Sequence, residues 1–407
     1  MRISMFIAGR IAFNRSSSFS RFIINIAMAA TAFSVAVMII ATAMISGFQQ
    51  VISDKIFSFW GHYHITEYRE TGGPNAEPSP FPEDSALEKR LSAIPLVSSV
   101  SPFATKSVIV KKGRETEGMI FKGVNGGQAL PFITEGRATR ATDSGYAPEV
   151  IISASTAALL NLKLNDAIII YFMQGDGQQP RARKLTICGI YKTGIEEYDK
   201  TYIVGDINLI RRLNDWAPDN IGGYEVHLHR FRDMDAAASL ISDEISDAEL
   251  GMRSMQEIYP NIFDWLGLQN KNETIILIIM TIVAVINMIT AMLILILERT
   301  NMVGILKALG TRNTSIQGIF LYQAGYIVVV GIIIGNILGL GLALLQQYTG
   351  FIRLPEESYY MSVAPIAIQW WKVALINVGT LAVCVLILII PSMLIRRILP
   401  VRAIQFK

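Results

Sequence analysis

The sequence predicts an α-helical membrane protein with four transmembrane helices and a large α+β, mostly strand, periplasmic domain. Three observations carry that prediction. Four apolar runs are each long enough to cross ~30 Å of hydrocarbon, which takes about 20 helical residues. A polar stretch of roughly 225 residues separates the first run from the second, enough for a domain with its own core. The composition is mixed in the same sense: of 407 residues, 51% are apolar and only 17% charged, too apolar for an ordinary soluble protein.

In chain order, residues 1–21 read as a basic amphipathic segment, with Met5, Phe6, Ile7 and Phe13 beside arginines, suited to the inner membrane surface. The first span (22–47) is rich in alanine, which permits close helix approach. It is too long for a signal-peptide core and lacks a small-residue cleavage site, so it reads as a retained anchor. The periplasmic domain with two helical stalks covers 48–272. A second span (273–297), a connector (298–317), a third span (318–345), an outer loop (346–372), a fourth span (373–395) and a tail (396–407) follow. Tyr359, Tyr360, Trp370 and Trp371 in the outer loop suit an interfacial aromatic belt. The apolar runs themselves (Phe22–Ile45, Thr274–Leu297, Ile319–Leu345 and Val373–Leu394) hold no acid or base.

Basic residues set the orientation. Arg2, Arg10, Arg15 and Arg21 precede the first span with no acid, and Arg396, Arg397, Arg402 and Lys407 follow the last. Arg299, Lys307 and Arg312 stand against Glu298 alone in the connector. All three segments belong on the cytoplasmic side of the membrane, with both termini there and the large domain outside. The net charge of +3 is thus an orientation signal and gives no reason to invoke nucleic acid.

Within the outer domain HYHITEYRE, SVIVKKG, EGMIFKGV, EVIISAS, AIIIYFM, RKLTICGIYK, DKTYIVG and GYEVHLHRF have strand character. Ser85–Ile94, Ser155–Leu160, Ile207–Leu213 and Met234–Ile245 read as helices. A weak boundary divides a membrane-proximal subdomain (61–100 and 206–252) from a distal, strand-rich one (101–205). Residues 71–84 form a Pro/Gly-rich loop. Cys188 and Cys384, one in the domain and one in the last span, offer no disulfide framework. In the third span Gly331, Gly335 and Gly339 repeat at GxxxG spacing, which lets helices pack backbone to backbone.

The chain looks non-catalytic and binds no cofactor of its own. It has no Walker A pattern to cradle a nucleotide phosphate, no HExxH, no CxxC and no nucleophile elbow. The absence of charge inside the apolar runs disfavours a proton- or ion-coupled transporter. All four histidines fall in two HxH pairs, His62/His64 and His227/His229. Period two puts each pair on one strand face, where adjacent strands would gather four imidazoles around zinc. The plainer reading, polar residues on an exposed face with no metal, is preferred.

The connector carries the sharpest local pattern. Met302, Ile305, Leu306 and Leu309 recur at i, i+3, i+4 and i+7, one apolar stripe on a short helix. Gly310 stands where a helix C-terminal glycine would, and Asn313 where the next helix would be capped. A tight turn and a docking helix for a cytoplasmic partner are both compatible with this.

The stretch ERTNMVGILKALGTRNTSIQGIFLYQAG (298–325) and the ending PSMLIRRILPVRAIQF (391–406) are similar to the connector and tail of the MacB/FtsX superfamily of ABC transporter membrane subunits. MISGFQQVISDKI (44–56) and YYMSVAPIAI (359–368) narrow the resemblance to lipoprotein-releasing permeases of the LolC/LolE type. The resemblance implies a MacB-like domain of two subdomains and pairing with a second permease subunit, identical or paralogous. It also implies a cytoplasmic ATPase dimer that uses ATP and Mg, and a triacylated lipoprotein passed to a periplasmic carrier. Glu298, Arg299, Met302, Ile305, Leu306, Lys307 and Leu309 would then couple to the ATPase, with Met302, Ile305 and Leu309 inserting and Glu298, Arg299 and Lys307 at the rim. An acyl-chain cavity would be lined by Met44, Phe48, Val51, Ile52 and Ile56 facing Leu266, Leu268, Ile275 and Ile279, unless these merely pack the stalks together. The hairpin expected to bind the carrier is short and polar here, with Gln174, Gln178, Arg181 and Arg183. Two other readings remain: a MacB-like mechanotransmission subunit for other substrates, and an FtsX-like regulator of a periplasmic cell-wall hydrolase. The latter class has a much smaller outer domain.

Overall fold

The computed structural model describes residues 18–67, 77–112, 115–128, 130–142, 145–174, 178–246, 249–355 and 359–397. The amphipathic segment expected before the first span, residues 71–76 of the 71–84 loop and the end of the tail lie largely outside them. Two compact units are present. One holds the membrane helices (to Gln50, Leu266–Arg353 and from Val363), the other Val51–Trp265 with Leu354–Ser362.

The first helix, α1 (Ser18–Trp60), runs 43 residues without a break, about 65 Å at 1.5 Å per residue. Span and stalk are therefore one rod. It ends because Gly61 takes a left-handed φ of +70°, a conformation that costs glycine nothing and stops a helix cleanly.

The outer domain is built on β3 (Val97–Lys112), a 16-residue strand. Its first half is the edge of a four-stranded antiparallel layer with β1 (Tyr63–Glu67), β11 (Gly223–Leu228) and β12 (Leu250–Ser254), in the order β12-β1-β11-β3. Helices α2 (Ser85–Ser92) and α6 (Met234–Ile245) join the strands of this layer and bury Leu87, Leu91, Ala237 and Ile241. The second half of β3 belongs to a closed ring. It pairs with β4 (Glu115–Val124), which runs parallel to β9 (Tyr202–Asp206). The ring continues through β6 (Glu149–Ser153), β8 (Arg181–Tyr191) and β7 (Ala167–Phe172), and β7 returns to β3. Val110, Phe121, Ile151, Ile170, Phe172, Ile187 and Val204 are fully buried here. Gly205 is required because a side chain there would run into the Phe121 ring.

All eight sequence-predicted strands are present, as are the four helices, among them α3 (Ala154–Leu159) and α5 (Ile207–Leu213). The structure adds β2 (Phe81–Pro82), β5 (Ile133–Gly136), β10 (Asn220–Ile221), β12, and the short helices α4 (Glu196–Thr201) and α7 (Met255–Ile258). The boundary drawn at residue 101 falls inside β3, which serves the layer and the ring alike, and the whole domain packs as one unit.

The membrane unit adds α8 (Pro260–Glu298), α9 (Thr300–Ala308), α10 (Asn313–Thr349), α11 (Trp370–Ser392) and α12 (Leu394–Arg397). Among the described residues α1, α8, α10 and the stretch Trp370–Arg396 are long and apolar enough to cross a membrane. Gly331, Gly335 and Gly339 of α10 lie against Thr31, Ala32 and Ala36 of α1. A Cβ at Gly335 would fall 2.7 Å from the Ala32 carbonyl oxygen, so the two backbones touch only because the glycines are bare. Asn336 and Asn377 exchange side-chain hydrogen bonds of 2.9 and 3.1 Å between α10 and α11, each satisfying a polar group that lipid could not.

Candidate functional site: the cytoplasmic connector and the outer apolar faces

The connector folds as helix α9, ended by Leu309 and a left-handed Gly310 with φ +84°. Asn313 differs from expectation. It is the first residue of α10, and Arg312 holds the cap position without a side-chain bond. The apolar stripe also divides. Val303, which the periodic pattern passed over, is fully buried with Gly304, and Met302 and Leu306 pack partly against the same cluster. Ile305 and Leu309 point away, 53% and 77% exposed. α9 is therefore anchored on one side and presents two large aliphatic side chains on the other, beside the exposed Glu298.

Lys307, expected at the rim, is engaged within the chain. Its ammonium donates to the carbonyl oxygens of Ile395 (2.8 Å) and Arg396 (3.4 Å), at the end of the chain's last described helix. A cation is favoured there because a helix C-terminus leaves carbonyls unpaired. Gln317 likewise donates to the Ser392 carbonyl at 3.2 Å. These bonds make the connector part of a braced end of the helix bundle rather than a free turn. Arg299 takes the N-cap position of α9.

The residues assigned to an acyl-chain cavity are not alike. Ile52, Ile56 and Leu266 are buried, and Met44, Phe48 and Val51 half-buried. Leu268, Ile275 and Ile279 are each about half exposed, and with Ile278, Ile282 and Ile286 they give α8 a long uncovered aliphatic face. In the polar hairpin Arg181 is already engaged, donating to the Leu213 carbonyl (2.8 Å) and pairing with Asp215 (3.2 Å). Gln174 donates to the Phe172 carbonyl at 3.4 Å and Arg183 to the Ala182 carbonyl at 2.8 Å, while Gln178 is exposed.

The histidines depart from the expected pairs on strand faces. Only His64 and His227 lie on strands, because His62 precedes β1 and His229 follows the end of β11. A register shift between His227 and Leu228 breaks the alternation of the second pair as well. His229 is exposed, and its backbone N–H donates to the Leu96 carbonyl at 3.1 Å. The other three are covered: His62 is buried, and His64 and His227 are half-buried. The expected exposed polar face therefore describes His229 alone. His64 stands opposite Glu225 across β1 and β11. The His62 ring stacks on Phe57, its centroid 4.0 Å away, and its Nδ1 accepts from the Leu228 N–H at 3.1 Å. No group of three or more His, Cys, Asp or Glu able to hold a metal forms among the described residues, so His62, His64, His227 and His229 do not gather around zinc. Burial, with His227 nearby, pushes His62 down to about 3, and burial with Lys122 nearby pushes His227 down to about 4. Both of these rings are neutral at pH 7.

Sequence reasoning missed the centre of this cluster. Lys122 of β4 and Glu225 of β11 form an ion pair of 2.7 Å with side chains 2% and 3% exposed. The Lys122 ammonium also donates to the Phe59 carbonyl, in the last turn of α1, and lies over the Phe59 and Trp60 rings at 4.7 and 4.1 Å. Burial, against the pull of Glu225, lowers the Lys122 pKa, and burial raises that of Glu225. The pair fastens the end of the long helix to the sheet.

The family described as "MacB-like periplasmic core domain" matches residues 26–243, and "FtsX-like permease C-terminal" matches 274–400. The chain belongs to the MacB/FtsX superfamily. Within this superfamily it is similar to the lipoprotein-releasing system transmembrane protein LolC of Xylella fastidiosa, with 22% identity over 97% of this chain and 96% of that one. It is also similar to LolE of Haemophilus influenzae, with 23% identity over 92% of each chain. The solved periplasmic region of MacB from Actinobacillus actinomycetemcomitans covers 53% of this chain and 98% of that one, at 14% identity and a TM-score of 0.34. Membership of this permease superfamily accounts for the missing catalytic motifs.

Proposed function

We propose that this chain is the permease subunit of an ATP-driven complex in the bacterial inner membrane. Such a complex would draw acylated lipoproteins from the outer leaflet and pass them to a soluble periplasmic carrier. The observation that carries the reading is the end-to-end similarity to LolC and LolE, over 92–97% of this chain. Two features fit it. Ile305 and Leu309 form an exposed aliphatic pair on a braced helix, suited to a groove on a separate ATPase dimer that supplies ATP and Mg chemistry. The uncovered aliphatic face of α8 suits acyl chains, since each buried methylene contributes about 0.8 kcal/mol. The four-stranded layer and the ring would serve as the near and distal parts of the periplasmic domain, in a pair with a second permease subunit.

The test uses the complex purified with its ATPase and reconstituted in vesicles. Ile305→Asp with Leu309→Asp should abolish ATPase association and reduce release of a triacylated lipoprotein to a soluble acceptor at least tenfold. The outer domain should keep its native protease resistance. Release at the unaltered rate with the ATPase still bound would reject α9 as the coupling helix. A wild-type complex that releases no acylated protein at all would reject the transport reading.

A further inference from the structure

The outer loop between the third and fourth spans does more than connect them. After α10 ends at the left-handed Gly350, the chain makes a short bridge, Arg353 to Val363. Gln346, 2% exposed, fastens the base: its amide donates to the carbonyls of Ile352 (3.2 Å) and Ala364 (3.0 Å) and accepts from the Ile352 N–H (2.8 Å). The following residues cross α1 in extended form, about two-thirds of the way along it, where its membrane-spanning part gives way to the stalk. The Ala367 N–H donates to the Ala43 carbonyl at 3.0 Å. At Gly47 an added Cβ would lie 2.6 Å from the Pro365 carbonyl oxygen, so the crossing is backbone on backbone and depends on that glycine.

The crossing ends in a charge cluster of a half-buried lysine on a buried glutamate and a buried serine. Lys372, in the first turn of α11, donates to Ser46 of α1 at 3.1 Å and to both carboxylate oxygens of Glu273 of α8 at 2.9 and 3.1 Å. Glu273 is 8% exposed and Ser46 2%. Both charged residues lie one position outside the apolar runs, which hid them from a search inside the spans. One ammonium therefore joins the start of α11 to interior positions of α1 and α8, beside the outer limit of their apolar runs. A charge pair at this depth resists separation, because parting it leaves two poorly solvated ions.

We propose that residues 363–372 are a strap over the outer end of the membrane-spanning part of α1 and that Lys372 is its buckle, holding α1 against α8 until an entering substrate parts them. The stretch of the exposed aliphatic face within the apolar run of α8 starts at Ile275, two residues inward from Glu273. Release of the buckle would free α8 from α1 at the mouth of that face, so the strap governs lateral access from the outer leaflet. The gating role rests on the transport reading; the strap and its buckle do not.

The experiment measures the α1–α8 separation in the full complex in nanodiscs. Spin labels are placed at Gln50→Cys and Asn272→Cys, both exposed positions, while the two native cysteines are buried. Glu273→Lys and Lys372→Glu should each lengthen or broaden the distance distribution, by roughly 1–2 Å as for other small helix shifts. The double exchange should restore the wild-type distribution. Gly47→Ala, which lifts the strap without touching a charge, should broaden it as well. Unchanged distributions in the single-charge variants overturn the proposal, as does a double exchange that fails to restore. If the charge variants do not accumulate, Ser46→Ala replaces them, and an unchanged distribution there overturns it equally. Release of an acylated lipoprotein is measured on the same samples. The expected distance pattern with no release in the wild type would sink the transport reading and leave the strap standing; normal release with no pattern would sink the strap alone.

Discussion

Lys122→Met is the most informative single change in the outer domain. Methionine keeps the length and apolar stem of lysine but removes the ammonium. That leaves Glu225, 3% exposed, as an uncompensated buried carboxyl, a loss of about 3–5 kcal/mol. The Phe59 carbonyl loses its donor too, adding roughly 1–3 kcal/mol, and two ring contacts go with it. Relaxation and neutralisation of Glu225 will absorb part of this, so the expected total is about 4 kcal/mol. In urea with pulse proteolysis of the full chain in detergent, that is a midpoint lowered by about 1–2 M. Adding Glu225→Gln should recover at least about 2 kcal/mol, because the stranded charge is gone. A Lys122→Met midpoint within about 0.3 M of wild type, or a double variant as unstable as the two singles added together, would refute the assignment of the pair as the fastening of α1.

Acidification should loosen the same region. His62 and His227, held down to about 3 and 4 by burial, stay neutral in the folded chain while the unfolded chain takes up protons below about pH 6.5. Stability therefore falls as pH drops from about 6.5 towards 4, by up to roughly 2 kcal/mol per ring at pH 5, and a His227→Gln variant should show a shallower decline in the urea midpoint across that window. In the membrane unit, Gly335→Leu forces a side chain into the Ala32 carbonyl contact. It should destabilise the α1–α10 packing by about 1–3 kcal/mol and lower the yield of monodisperse protein in size-exclusion chromatography. Gly341→Leu, where an added Cβ meets nothing, should not.

Much of this architecture could be read from the chain because its elements announce themselves locally. AIIIYFM and EVIISAS are apolar enough to be strands in any context, and INLIRRL carries a helix on its own periodicity. β5 (ITEG) and β12 (LGMRS) do not, since they become strands only when an existing edge offers partners. The connector divided similarly. Its helical stripe was visible, but which residues are anchored depends on distant carbonyls at Ile395 and Ser392 that no window of sequence contains. The HxH spacing misled for a related reason: His62 and His229 fall just beyond the ends of their strands, and strand ends are set by pairing partners. The charge pairs were the least legible. Lys122 and Glu225 sit in strand segments where alternation suggests solvent, and the segments carry no mark of each other. Only the fold brings them together, with α1 ending between them.

The sharing of β3 also sets an order of assembly. The ring from β3 to β9 is complete once residue 206 has crossed the membrane, and its pairing most distant in sequence, β4 with β9, joins Ile120 to Tyr202. The four-stranded layer must wait far longer, because Tyr63 of β1 pairs with Ser254 of β12, and contacts so distant in sequence form late. During that interval β1 has no neighbours, and Lys122 sits in the finished ring without Glu225. The nascent domain is then a closed ring trailing an unpaired strand, the species most exposed to misassociation during its export. Arrival of β11 ends that stage in one step, covering the open edges of β1 and β3 and neutralising the lysine together.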